Sequence, residues 1–363
     1  MKKAIFFLAL IFINSGWAFS QIDSNKHSVF QVTFFPPMGT QGAAAKEYTN
    51  DFSLNILAGI SQNERKFTLG SLGNIIKNDA SGFQLAGIAN VVGHNTNGVQ
   101  LAGVFNTVRN DGRGSLISGI FNASKNYSGF QMGGVANVAA DMKGFQMGGV
   151  MNMAKEMNGF QFASVANVAD NVKGVQFAGV VNKAKNVEGL QFAALLNIAD
   201  NSDYPFGLIN IIKNGEMGIG ITCNEIGSTV LSFRSGGRVL YGILGVGYNY
   251  RSVSKESFVV EGGMGAHINF TPTFRINTEA KASFFSAFSK KETTQYGLSI
   301  LPALRLGSNF EVFAGPSVNY LHSDNMKNKD LFPQWDINIW EKYNSTDLKQ
   351  VYVGFTFGTQ YIF

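Results

Sequence analysis

The stretch GFQMGGVMNMAKEMN, residues 144–158, is uncharged over its first ten positions and carries Lys155, Glu156 and Asn158 in its last five. Closely similar stretches begin fifteen residues earlier, at Gly129, and fifteen residues later, at Gly159. A fixed period of this size indicates an array of supersecondary units. We therefore expect one short repeated unit to build much of the fold.

Two columns of amide side chains mark the repeat. In the eight units that begin between Gly82 and Gly189, the first nine positions hold no Asp, Glu, Lys or Arg. Leu116 takes the Gln position of the unit that begins at Gly114. The Gln column contains Gln84, Gln100, Gln131, Gln146, Gln161, Gln176 and Gln191. The Asn column contains Asn90, Asn106, Asn122, Asn137, Asn152, Asn167, Asn182 and Asn197.

Each unit alternates between two unlike faces, which is typical of a strand. One face carries the amides with small and aliphatic residues, and the other carries variable apolar residues such as Phe145, Met147 and Phe162. The charges are confined to short polar tails, which have the composition of turns. The sequence predicts an all-β chain of strand-turn units.

Two environments suit strands without charge. In the leading prediction the units form a many-stranded transmembrane β-barrel, with apolar residues on lipid and amides lining a lumen. In the alternative the units stack as a β-solenoid with hydrogen-bonded amide ladders and an apolar core, beside a smaller C-terminal barrel. The lack of a charged outer face favours the barrel, whereas the equal turn lengths favour the solenoid.

The C-terminal part alternates over longer strands. TFRINTEAKASF, residues 273–284, separates apolar from polar positions sharply, and VYVGFTFGTQYIF closes the chain on Phe363. Apolar-out, polar-in strands of this length predict membrane hairpins whose polar side faces the interior. The charged residues predicted to line that interior are Glu261, Arg275, Glu279, Lys281, Arg305 and Glu311.

The sequence divides into four parts. Residues 1–20 have a basic start and a short apolar core, which predicts a cleaved secretory signal peptide. N-terminal strands are expected over 21–65, the repeat array over 66–216, and barrel strands over 217–363 with an external loop at 323–349. The single cysteine, Cys223, allows no disulfide within the chain.

The repeated pattern G-x-Q-x-small-small-aliphatic-x-N resembles tandem surface repeats of Gram-negative bacteria, over roughly residues 49–270. That resemblance implies a secreted β-protein of the outer membrane or cell surface and implies no activity. The ending on Tyr361 and Phe363 resembles the closing strand that the barrel-assembly machinery reads. Outer-membrane lipid and that machinery are therefore the expected partners.

No catalytic or metal-binding pattern is apparent in the sequence. The four histidines are far apart and none has a metal-ligand spacing. The basic residues are scattered, so nucleic acid is not an expected partner. We expect no enzyme and no cofactor. The expected function is a passive porin-like channel or a structural surface protein, with a surface-exposed solenoid binding or adhesion module as the alternative.

Overall fold

The computed structural model describes residues 26–251, 257–286, 293–324, 333, 337–344 and 347–363. The predicted signal peptide at 1–20 and Trp335 of the predicted loop lie outside these residues. The described chain forms two compact units, of which the first ends at Gly179 and the second begins at Val180.

The first unit consists of strands and one short 3-10 helix, Gly42–Glu47. Its strands are β1 (Lys26–Phe35), β2 (Met38–Gly39), β3 (Tyr48–Asn55), β4 (Ala58–Ser61), β5 (Asn63–Gly70), β6 (Gly73–Ile76), β7 (Ala80–Ala86), β8 (Ala89–Val92), β9 (Thr96–Ala102), β10 (Phe105–Ser118), β11 (Phe121–Gly133), β12 (Ala136–Val138), β13 (Asp141–Gly148), β14 (Met151–Met153), β15 (Glu156–Ala163), β16 (Ala166–Val168) and β17 (Asn171–Ala178).

Each repeat of the first unit is one coil, made of a longer strand, a corner and a shorter strand. The longer strands pair in parallel and in register with the coil before, so that Gln146 lies opposite Gln161. The shorter strands do the same, with Asn152 opposite Asn167. The repeats therefore stack as a β-solenoid and do not run as antiparallel membrane hairpins.

This arrangement corrects the leading prediction of one many-stranded barrel built from the repeats, and it matches the alternative architecture better. The uncharged run of nine or ten residues does not remain one strand. β15 ends at Ala163, the chain bends at Ser164 and Val165, and β16 begins at Ala166. A segment divided in this way is too short on either side to cross a bilayer, which requires about 9–11 residues per strand.

The two faces of a coil are the reverse of what the solenoid alternative predicted. The amides and small residues such as Ala163 point inward, whereas Phe145 is 56% exposed and Met147 is 39% exposed. Val165 shares the sequence parity of the amides but points outward, because the corner interrupts the alternation there. Small inward residues such as Ala163 allow the two sides of a coil to approach closely next to the corner.

The first residue of each unit is glycine for two reasons. Gly144 has φ +122°, a conformation that L side chains rarely adopt. A Cβ at this position would also lie 2.2 Å from the carbonyl oxygen of Gly129 in the coil below. Tight stacking of coils therefore requires glycine at this column.

The second unit contains further coils followed by a closed barrel. Its strands are β18 (Val181–Lys183), β19 (Asn186–Ala193), β20 (Leu196–Ala199), β21 (Asn201–Phe206), β22 (Ile209–Ile212), β23 (Glu216–Asn224), β24 (Ser228–Gly236), β25 (Leu240–Asn249), β26 (Phe258–Asn269), β27 (Phe274–Ser286), β28 (Thr293–Leu306), β29 (Phe310–Ser323), β30 (Asn338–Tyr343) and β31 (Leu348–Ile362).

Eight antiparallel strands form the barrel, in the order β23 to β29 and then β31, and β31 closes it by pairing with β23. β30 adds a short antiparallel pairing to β31 within the stretch predicted as a loop. Closure leaves the barrel without a free sheet edge. The outward side is apolar, with Leu298 66% exposed, and the inward side carries the polar residues.

Candidate functional site

The amide columns lie inside the coils. All fifteen Gln and Asn side chains predicted from the repeat are completely buried, within whichever unit they belong to. They contact neighbouring coils and do not line a channel. Because buried amides are costly unless they are hydrogen-bonded, their partners determine whether the column stabilises the coil.

The Asn side chains form a continuous ladder along the first unit. Asn137 donates one N–H to Oδ1 of Asn152 at 2.9 Å and the other to the backbone carbonyl of Met147 at 2.8 Å. Asn152 repeats this pattern with Oδ1 of Asn167 and the carbonyl of Phe162. Each Asn side chain thus forms two hydrogen bonds to the next coil, which satisfies both of its N–H groups.

The Gln side chains form a shorter ladder. Gln176, Gln161 and Gln146 each donate to Oε1 of the glutamine one coil earlier, at distances of 2.8–2.9 Å. Gln131 donates to Ser124 Oγ instead. The coil before it carries Leu116 at this position, completely buried, so the ladder has no acceptor there.

Glu64 is a buried carboxylate near the N-terminal end of the first unit. Its position is occupied in later coils by residues such as Ala80 and Met157. Ser53 donates to it at 2.8 Å and Thr68 at 2.9 Å. Burial raises the pKa of Glu64, and these donors only partly oppose that shift. Both of these donors are hydroxyl groups, which carry no charge.

The barrel interior collects the charged residues predicted for it. Arg275 Nε lies 2.7 Å from Glu311 Oε2. Lys281 Nζ lies 3.5 Å from both Glu261 and Glu279. Arg305 is also inward-facing, and its guanidinium pairs with Glu216 at 2.7 Å. The six predicted residues therefore take part in ion pairs within one interior.

Two charged partners in this network were not predicted. Arg234 donates to Glu279 at 3.0 Å, and Glu216 accepts from both Arg275 and Arg305 at 2.7 Å. Reading β24 with period two places Arg234 on the inward side with Ser232, a signal that was available in the sequence. Glu216 lies at the start of β23, directly after a turn, where alternation gives no such signal.

Two of the ion pairs cross the interior of the barrel. Arg234 belongs to β24 and its partner Glu279 to β27, whereas Glu216 belongs to β23 and its partner Arg305 to β28. None of these strand pairs are neighbours in the barrel. The side chains therefore bridge the lumen from wall to wall and occupy it.

Apolar side chains fill another layer of the same interior. Ile226, Val259, Phe285, Leu321 and Tyr352 belong to one buried cluster. The cavity bounded by Glu261, Lys281 and Gln295 has a volume of about 20 Å³. A single water needs roughly 10–15 Å³ of such space, so this cavity has room for about one water and none for a solute.

One group of described residues has the composition of a metal site. Ligand atoms of His322, Asp324 and Asp347 lie within 4.8 Å of one another. His322 Nε2 is 3.1 Å from Asp324, and the ammonium of Lys349 is 3.4 Å from Asp347. Each of the two carboxylates thus already has a nitrogen atom of the protein within 3.4 Å.

Among the described residues, no helix has the length and apolar character needed to cross a membrane. No protein-family model and no curated protein matches the chain. A solved structure described as "De novo design of transmembrane beta-barrels" is similar, at 17% identity and a TM-score of 0.23. That match covers 41% of this chain and 93% of the designed one.

Proposed function

We propose that the chain is a structural outer-membrane protein whose eight-stranded barrel is a closed anchor and whose coils are a surface element. The observation that carries this proposal is the division of the barrel wall. Leu298, Ile300 and Val318 point outward, whereas Arg234, Glu279 and their partners bridge the inside. Apolar-out and polar-in strands suit a wall in contact with lipid.

The filled interior favours an anchor over the porin-like channel. Small eight-stranded barrels have interiors just wide enough for side chains to fill. Here ion pairs cross that space and an apolar cluster occupies another layer. The function that we propose for the barrel is accordingly that of a passive anchor.

Outer-membrane lipid and the barrel-assembly machinery are the proposed partners. β31 ends at Ile362 and is followed by Phe363, which is 58% exposed. This strand also closes the barrel against β23. Recognition of the closing strand during assembly is therefore part of the proposal, as is export by the segment at 1–20.

Insertion of the full chain into outer membranes tests the anchor. We expect Leu298→Arg to reduce the amount of folded protein in the outer-membrane fraction, because a charge on a lipid-facing strand costs about 2–4 kcal/mol near the bilayer centre. The matched control is Ser308→Arg, which lies in the exposed turn after β28. Equal recovery of both variants would contradict contact between this wall and lipid.

Planar-bilayer recordings separate an anchor from a channel. We expect the purified wild-type chain to give no conductance above background. Stable ohmic conductance from wild-type protein would remove the closed-anchor proposal and restore the channel.

The polar edge of the coils favours binding at the surface as a second candidate. Lys143, Asn158 and Lys173 are exposed and follow one another on successive coils. A membrane-impermeant amine reagent applied to intact cells should label Lys143 and Lys173 if this edge faces the outside. Labelling only after lysis would argue against a surface-binding module.

A further inference from the structure

Apolar side chains cover one outer side of the coils in both units. At the corner between the two strands of a coil, the first unit carries an aliphatic residue in every turn, for example Ile120, Val135, Val150 and Val165, each more than 40% exposed. Phe145 and Phe160 precede these corners, with ring centroids 5.8 Å apart. We call the outward corner residues and these strand-end aromatic and Met residues the apolar band.

Backbone groups beneath the apolar band form hydrogen bonds between successive coils. Val135 donates its N–H to the carbonyl of Ile120 at 2.9 Å, and Val150 donates to Val135 at the same distance. The second unit repeats this pattern, where Ile209 donates to Leu195 at 3.0 Å. Contact with hydrocarbon requires that backbone groups find partners inside the protein, and these corner groups meet that condition.

Charges lie on the other edge of the coil. In one turn of the first unit, Lys155, Glu156 and Asn158 are exposed, whereas Phe160, Phe162 and Val165 follow on the band. Across this edge, Asn171 donates to Glu156 of the neighbouring coil at 2.7 Å. The solenoid is therefore amphipathic across its width, which is the arrangement of elements that lie in a membrane interface.

Within the second unit the apolar band continues onto the barrel wall. Phe206, at the end of β21, lines a cleft of about 580 Å³ together with Met264 and Leu298 of the barrel's outer side. Leu208 lines an adjoining cleft of about 600 Å³ with the same two residues. Apolar residues of the last coil and of the barrel's outer side thus line the same two clefts.

We propose that the apolar band is a second lipid-contacting surface. The coils then lie along the bilayer, with the band in contact with the acyl chains and the charged edge in water. This inference rests on the proposed membrane anchor. Acyl chains fit the band better than a specific protein partner, because its exposed side chains are predominantly apolar from coil to coil. Large exposed apolar patches mark membrane or protein contacts in general.

Single tryptophans in the full chain test the inference. Trp17, Trp335 and Trp340 are first replaced by Phe, and one Trp is then placed at Phe145 or Leu195 on the band, at Leu298 on the barrel wall, or at Asn158 on the charged edge. The protein is reconstituted in phosphatidylcholine vesicles brominated on the acyl chains, at high lipid excess. We expect Phe145→Trp, Leu195→Trp and Leu298→Trp to lose most of their emission, and Asn158→Trp to be quenched by aqueous iodide instead.

The outcomes separate this inference from the proposed anchor. Quenching of Leu298→Trp by bromolipid without quenching of Phe145→Trp and Leu195→Trp would overturn the lipid band and leave the anchor standing. A blue-shifted band Trp that neither bromolipid nor iodide quenches would mean that protein, such as a second copy, covers the band, and would also overturn it. Absence of bromolipid quenching at all three positions would overturn both proposals.

Discussion

The coils of the first unit and the barrel of the second unit both place polar side chains inside and apolar side chains outside. The buried polar groups, however, find their partners in different ways. The coil interior uses neutral amides, such as Asn137, Asn152 and Asn167, joined in one ladder. The barrel interior uses opposite charges, such as Arg234 with Glu279. The difference follows from repetition.

A stacked repeat places identical residues against one another, about 4.8 Å apart. An amide is self-complementary, since it both donates and accepts, so a column of amides is satisfied at every step. A column of like charges would repel at every step. The barrel strands are not copies of one another, and unlike residues such as Arg275 and Glu311 can meet there.

Removing one charge from the barrel should have the largest effect. Glu279→Leu leaves Arg234 buried without its carboxylate, and we expect a loss of about 3–5 kcal/mol in unfolding free energy. Urea unfolding of the full chain in detergent micelles measures it.

The double variant Arg234→Met with Glu279→Leu is the control, because it removes both members of the pair. It should recover a large part of the lost stability. A loss below about 1 kcal/mol for Glu279→Leu alone would place this pair among solvated surface pairs and would contradict a filled interior.

Introducing a charge into the coil ladder should have the next largest effect. Asn152→Asp removes the donor to Asn167 Oδ1 and to the carbonyl of Phe162, and we expect a loss of about 3 kcal/mol. Asn158→Asp makes the same chemical change on the exposed edge and should cost within about 0.5 kcal/mol. The two variants are compared by chemical unfolding, and equal losses would show that the ladder amides are not buried.

The buried carboxylate at the N-terminal end gives a smaller, pH-dependent effect. Because burial raises the pKa of Glu64, the folded state holds its proton at pH values where the unfolded chain has lost it. Stability from this group is therefore full below the ordinary value of 4.5 and is lost as the pH rises through the raised pKa.

Glu64→Gln carries no such titration. We expect the melting temperature of the wild-type chain to fall relative to that of Glu64→Gln as the pH is raised from 4 to 8. A constant difference between the two proteins across this range would mean that Glu64 is solvated in the folded state.

Completing the Gln ladder should have the smallest effect. Leu116→Gln supplies an acceptor for Gln131 and a donor toward Gln100 Oε1, which has no hydrogen-bond partner among the described residues. We expect a change within about 1 kcal/mol, since net hydrogen-bond gains are modest. Leu116→Ala, which leaves a cavity instead, should cost about 2–5 kcal/mol. Similar losses for both variants, measured by urea unfolding, would argue that the column does not tolerate an amide there.

Local alternation correctly separated the inward amides from the outward Phe145 and Met147, because the period of two belongs to a single strand. The same alternation is compatible with antiparallel hairpins and with parallel coils, so it did not determine how units pair. A corner such as the one at Ser164 and Val165 divides each unit into two strands and so allows parallel coils. In the sequence, only the constant spacing of the units indicated parallel coils.

The charged barrel residues were predicted for a related reason. Arg275, Glu279 and Lys281 alternate with apolar neighbours on one strand, which places them inside. Their partners across the interior depend on strand order and register, which local sequence does not encode. The pairing of Arg234 and Glu216 with residues across the barrel could therefore not be predicted, and with it the filling of the lumen, although alternation in β24 indicates that Arg234 lies inside.

The distance between spin labels on neighbouring repeats tests the central claim, parallel stacking of the coils, most directly. Labels are attached to cysteines at Lys143 and Asn158, which lie opposite each other in register, in the full chain with Cys223→Ser. Parallel coils place the two backbones about 5 Å apart, and we predict strong dipolar broadening in the electron paramagnetic resonance spectrum. Membrane hairpins would carry the two labels to opposite ends of a barrel with an apolar band about 25 Å tall, and a spectrum without broadening would contradict the account.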